Sequence, residues 1–151
     1  MASPGQIQLV AFSIGDLRCA TRIDRVEEVV PFTAPTRVPN APGFVEGMVD
    51  LRGRVVPFVS LRKRFGVGGE APSTSRILVV RLERGVVGFL VDHAGMMRAA
   101  AEQVLPPPDY VPGLDAKFLA GVVRDEAGLV LLLDLDRVLT TEEARVLPTA
   151  P

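Results

Sequence analysis

Phe44-Val45-Glu46-Gly47-Met48-Val49 and Phe118-Leu119-Ala120-Gly121-Val122-Val123 are two versions of one six-residue pattern, 74 positions apart. Val56–Leu61 lies over Val130–Leu135 at the same spacing, and in both copies a strand-like run leads into a residue suited to capping a helix. Leu9–Asp24 lies over Ile77–Asp92 at a spacing of 68, with Asp24 over Asp92 the one identity. A longer loop around Pro106–Pro112 accounts for the six extra residues. Self-similarity at a fixed spacing points to duplication. A half of this length buries too little apolar surface to be comfortably stable by itself, so two small barrels with packed walls are expected.

Moving outward, short β-rich segments alternate with glycine and proline, as in an all-β sandwich or barrel. The first half reads as strands over Gln6–Ile14, Leu17–Ile23, Val26–Phe32, Phe44–Leu51 and Arg54–Val59, with Asp24 able to cap one brief helical turn. Ser60–Phe65 reads as a short helix stopped by Gly66, and residues 66–75 form a polar linker. The second half reads as strands over Arg76–Leu82, Val86–Val91, Gly95–Ala100, Phe118–Asp125 and Leu129–Leu133. Two helices are then expected, Asp134–Leu139 and Thr140–Leu147, the second with capping-box spacing from Thr140 to Glu143. The expected class is all-β: two five-stranded barrels, approximately 15–65 and 76–135, completed by the N-terminal strand and C-terminal helix.

Composition limits the function. In 151 residues, 48% hydrophobic against 23% charged supports a folded core. A net charge of -1 supplies no overall basic field for nucleic acid or anionic lipid. Cys19 is the one cysteine and His93 the one histidine, so neither an internal disulfide nor a Cys/His zinc site can form. The first residues lack a signal-peptide pattern and no apolar run is long enough to span a bilayer, so a cytoplasmic protein is expected. No catalytic residues, metal or cofactor are expected.

Individual candidates mostly read as structural. His93 has no nucleophile beside it in sequence, and Cys19 suits a buried strand position. Gly66-Val67-Gly68-Gly69 lacks the lysine of a phosphate loop, and Asp134 and Asp136 lack a third metal ligand. Arg62-Lys63-Arg64 could contact phosphates, as in a nucleic-acid-binding barrel, but no aromatic is interleaved, so a solvated face is expected. The tip Asp50-Leu51-Arg52-Gly53-Arg54 differs: Asp50 and Arg52 share a strand face, and Glu27-Glu28 on another strand of the barrel could pair across.

These segments resemble the CheW family of chemotaxis adaptors along nearly the whole chain. The likeness is carried by Phe12–Asp16, Ile23–Val29, Thr36–Gly47, Asp50–Pro57 and Arg62–Gly66, and then by Val86–Asp92 and Ala101–Pro108. It implies two five-stranded SH3-like barrels and a non-catalytic scaffold that couples the cytoplasmic tips of methyl-accepting chemotaxis receptors to the regulatory domain of the histidine kinase CheA. It implies partner-binding roles for Val26, Glu28, Gly47 and Arg52, a receptor groove lined by Val30, Val91 and Met97, and a second kinase contact at Tyr110. Asp50 stands where asparagine is frequent, which would trade a local hydrogen bond for a charge. The expected protein is cofactor-free, monomeric when free, and bound neither to nucleic acid nor into a membrane. Related adaptors serving pili, surface motility or development share the pattern.

Overall fold

The computed structural model describes residues 5–40, 43, 45–110 and 114–138. The all-β expectation holds. Eleven strands are found among the described residues: β1 Gln6–Ile14, β2 Leu17–Arg22, β3 Val26–Pro31, β4 Val45–Leu51, β5 Arg54–Ser60, β6 Arg76–Leu82, β7 Gly85–Val91, β8 His93–Ala100, β9 Val104–Leu105, β10 Leu119–Asp125 and β11 Gly128–Leu133. A single-turn helix, α1 (Leu61–Arg64), follows β5; the Ser60 hydroxyl accepts from the Lys63 N–H at 3.2 Å, which is the cap expected there.

The two sheets do not follow the halves 15–65 and 76–135. One has the order β8-β1-β2-β11-β10-β9, the other β3-β6-β7-β5-β4. Each half lends its first hairpin to the other's sheet. The joins are two short parallel ladders, Cys19↔Leu131 with Ala20↔Leu132, and Phe58↔Gly88 through Ser60↔Leu90. Three apolar clusters result. Val49, Val56, Phe58, Ile77, Val79, Val86 and Leu90 fill the five-stranded barrel, and Leu9, Ala20, Ala99, Val123 and Val130 fill the six-stranded one. The largest cluster, with Phe12, Leu61, Leu78, Phe89 and Leu133, lies between them and draws on both sheets. Each large aliphatic buried there contributes about 1.5–3 kcal/mol.

The duplication is visible in fine geometry. β4 and β5 slip register between Val45 and Gly47, and β10 and β11 slip between Leu119 and Gly121. A bridge from Thr36 crosses Met48, as β9 crosses Val122 and Val123. Several expectations change. Asp24 does not cap the 3₁₀ turn Ile23–Arg25 but pairs with Arg22. The helix expected at Asp134–Leu139 is a 3₁₀ turn, Leu135–Arg137, capped by Asp134. Phe44 and the Thr140–Leu147 helix lie outside the described residues.

Arg62-Lys63-Arg64 is not a solvated face. Arg62 pairs with the buried Asp92 carboxylate at 2.5 Å, Lys63 pairs with Glu46 at 2.8 Å, and Arg64 donates to the Val138 carbonyl and stacks on Phe118. α1 packs on β5 and β7, so these side chains turn toward partners distant in sequence. Asp92 sits where the chain passes from one sheet to the other. Its carboxylate also accepts from the Gly15 N–H at 2.7 Å, its own N–H donates to Ser13, and Thr74 donates to its carbonyl. Removing one partner of a buried pair costs about 3–5 kcal/mol because the other charge is left uncompensated. Asp92→Ala is therefore expected to lower the thermal midpoint by on the order of 10 °C, read by circular dichroism; a change within a degree or two would show that the seam does not need this pair.

Candidate functional site

The site grows from an irregularity in β3. Val26 pairs with Val80 but Glu28 pairs with Val79, so Glu27 is a bulge residue and strict in–out alternation fails. Consecutive carboxylates can then both engage the β4–β5 hairpin. Glu28 takes an ion pair from Arg52, and Glu27 takes one from Arg54 at 2.5 Å and another from Arg81 on β6. The charge pair expected across these strands is present, with a second one beside it.

The hairpin tip is built for display. Arg52 has φ +57, a left-handed conformation uncommon for a side-chain-bearing residue, and Gly53 follows with φ +85. The Asp50 carboxylate accepts from the Gly53 N–H at 2.8 Å. Asp50 thus keeps a local hydrogen bond, which corrects the expectation that a charge replaces it. The result holds Arg52 78% exposed beside Glu28. Behind the pair runs an open groove of 500 Å³ lined by Val29, Val30, Pro31, Thr33 and Leu51. Val29 is exposed, and Phe32 at the end of the strand is 50% exposed while its ring meets Phe58 at 6.1 Å between centroids.

The family model for the CheW-like domain matches residues 8–143. The chain belongs to the CheW-like domain family. It is 32% identical to Chemotaxis protein CheW of Rhizobium meliloti, over 92% of this chain and 91% of that protein. It is 33% identical to Protein FrzA of Myxococcus xanthus, over 95% and 91%. The crystal structure of the scaffolding protein TtCheW from Thermoanaerobacter tengcongensis superposes with a TM-score of 0.84 at 28% identity, covering 93% of this chain and 92% of that one. The two-barrel fold of this CheW-like chain is therefore that of the family.

The family-implied residues fall into separate groups. Glu28 and Arg52 meet, and Val26 stands two residues away on β3, packed partly against the central cluster. Val30 is half-buried over the first barrel's interior and faces the groove. Met97 belongs to the second barrel, where it borders a smaller apolar recess of 250 Å³. Val91 is a correction: it is 1% exposed within the central cluster, because β7 is buried on both faces, and it lines no groove. Tyr110 is 76% exposed, so it does not pack down on its own loop. Cys19 is buried, which pushes its thiol up to about 12 and keeps it protonated.

Gly47 is buried, with φ +134, and a Cβ there would overlap the Thr36 carbonyl oxygen. Its repeat counterpart Gly121 faces the Leu105 carbonyl in the same way, where a Cβ would come to 2.9 Å. The glycine admits a crossing segment beside β4, so its first effect on any partner is through the fold. Glu27 was not singled out in the sequence. The usable signal was the adjacency Glu27-Glu28 opposite Arg52 and Arg54, two apart on one strand face.

Two outcomes follow. Gly47→Ala is expected to cost at least about 1–3 kcal/mol from overpacking alone, whereas Gly43→Ala, with open space around it, should leave thermal melting unchanged; equal melting of both would remove the steric account. The Arg54 and Arg81 guanidiniums hold the Glu27 carboxyl below its usual range, the hydrogen bond from Arg54 foremost. A group with a depressed folded-state value stabilises the fold above the ordinary glutamate pKa and loses that contribution as pH falls through the folded value. The gap in thermal midpoint between the parent and Glu27→Gln should therefore be present at neutral pH and close toward pH 3, measured by melts across that range.

Proposed function

We propose that this CheW-like chain is a non-catalytic adaptor that couples chemoreceptors to the regulatory domain of a CheA histidine kinase, and that the Glu28–Arg52 edge with its groove is the kinase contact. The observation that carries this reading is the family match across residues 8–143 combined with an exposed ion pair flanking an open apolar groove. A solvent-exposed pair of this kind contributes about 0–1 kcal/mol to stability. Its value lies in orientation and partner choice, while the apolar groove supplies area to bury. Val26 and Gly47 support that edge from within the barrel. Tyr110, an exposed aromatic in a proline-stiffened loop, fits a second kinase contact, since aromatics of this kind are common interface anchors. Val30 and Met97 remain the lining proposed for a receptor's helical tip; Val91 leaves that set.

The identity with FrzA supports a second reading, the same coupling role in a pathway with another output such as surface motility or development. Pull-downs against each candidate kinase separate the two. A nucleic-acid-binding barrel loses its basis, because Arg62, Lys63 and Arg64 are committed to partners within the chain.

The test is titration calorimetry against the regulatory domain of a CheA kinase from the same genome. Arg52→Ala is expected to melt like the parent and to weaken binding about tenfold, the effect of about 1.4 kcal/mol, and Tyr110→Ala should weaken it as well. Undiminished binding by both variants would move the contact elsewhere, and no binding to any such kinase would refute the adaptor reading.

A further inference from the structure

In the five-stranded sheet, β3 and β4 are the two edges, and the sheet order gives no backbone ladder between them. The barrel nevertheless closes there, since Glu28 reaches Arg52 and Glu27 reaches Arg54 across the gap. The gap is the 500 Å³ groove. Its width is thus set by side chains and not by strand hydrogen bonds.

The two carboxylates are not equivalent. Arg52 is four-fifths in water and pairs with Glu28 alone. Such a pair is weakened by solvent and salt and is poorly suited to holding a gap. Glu27 is less exposed, binds Arg54 on the hairpin, and is held from the other side by Arg81 on β6, the strand that pairs with β3. One carboxylate therefore ties the hairpin to the body of the sheet. Arg54 opens β5 and pairs directly with Leu51 across the turn, so wherever Arg54 is held, the tip carrying Arg52 is held too.

We infer that Glu27 is the positioning residue of the partner site: through Arg54 and Arg81 it fixes the β4–β5 tip over the groove and so sets where Arg52 stands. Glu28–Arg52 is then the exchangeable pair, open to a partner's charged group, and Glu27–Arg54–Arg81 is the fixed one. The inference rests on the kinase-contact reading given above and adds a residue that touches no partner.

The experiment is a double-mutant cycle on the full chain, with Glu27→Gln, Arg52→Ala and the combined variant titrated against the kinase regulatory domain. Thermal melts confirm that each is folded at the assay temperature. Amide hydrogen exchange at residues 51–54 of the free proteins is read in parallel. If Glu27 acts by placing Arg52, Glu27→Gln weakens binding about fivefold alone and less than twofold in the Arg52→Ala background. Exchange at the tip then rises in Glu27→Gln and stays at the parent level in Glu28→Gln. A purely structural role would give multiplicative losses in the cycle, and that result overturns the inference. So does unchanged binding by Glu27→Gln when Arg52→Ala weakens it, which leaves the kinase-contact reading standing. Binding untouched by Arg52→Ala overturns the reading and the inference with it.

Discussion

Neither sheet can form from one half of the chain. Because each half gives its first hairpin to the other, the two barrels are joined by backbone ladders as well as by side-chain packing, and the parallel pairs β2–β11 and β5–β7 close over a long stretch of sequence. The chain passes between sheets at Val91–His93, and there Asp92 gathers the β1–β2 turn, α1 and the linker onto one buried carboxylate. Taking that carboxylate out of water is unfavourable by itself, and the guanidinium with the amide hydrogen bonds offsets it. The relative placement of the barrels, and so the spacing of everything on their surfaces, depends on that junction.

The repeat shows what was kept and what changed. Gly47 and Gly121 do one job, letting a crossing segment approach a bulged strand. The counterpart of Arg62 is Asp136, which receives the Glu83 N–H and pairs with Arg25, so the same turn is held with the opposite sign and in a more open setting. The hairpin tips diverge most. Arg52 on the first barrel corresponds to Glu126 on the second, and Glu28 corresponds to Met96, which is 66% exposed. Two equivalent faces of one ancestral unit thus became a charged face and an apolar one. That division suits a scaffold that must meet chemically different partners without confusing them.

The strands were legible because their signals are local. Alternation, glycine turns such as Arg52-Gly53 and the Ser60 cap depend on neighbours within a few residues. The pairing of Glu27-Glu28 with the hairpin was also legible in outline, from two acids on one strand and cations on another. The exchange of hairpins was not, since nothing in Leu17–Arg22 tells whether it lies against its own half or the other. The basic run misled for a related reason: the groups that hold Arg62 and Arg64 stand at Asp92 and Val138, where no short-range pattern reaches. Val91 misled because a strand end in a resemblance looks like a wall, whereas burial on both faces of β7 is a property of the assembled barrels. The bulge that makes Glu27 important is equally invisible before β3 is laid beside β6.

A fold held by buried apolar clusters and one buried ion pair leaves its exposed charges free for recognition. The Glu28–Arg52 pair sits mostly in water, so breaking it to engage a partner costs little, while a wrong partner would leave Arg52 or Glu28 facing like charge. The opposite arrangement, a buried recognition pair, would bind through an interaction whose loss also unfolds the barrel. Separating the two roles requires something to keep the exposed pair in place without consuming it. Glu27 meets that need, because it is adjacent in sequence, freed from alternation by the bulge and anchored by cations on two strands. The local price of that device is one irregular residue in an edge strand, where the absence of a β3–β4 ladder already left the backbone unconstrained on that side.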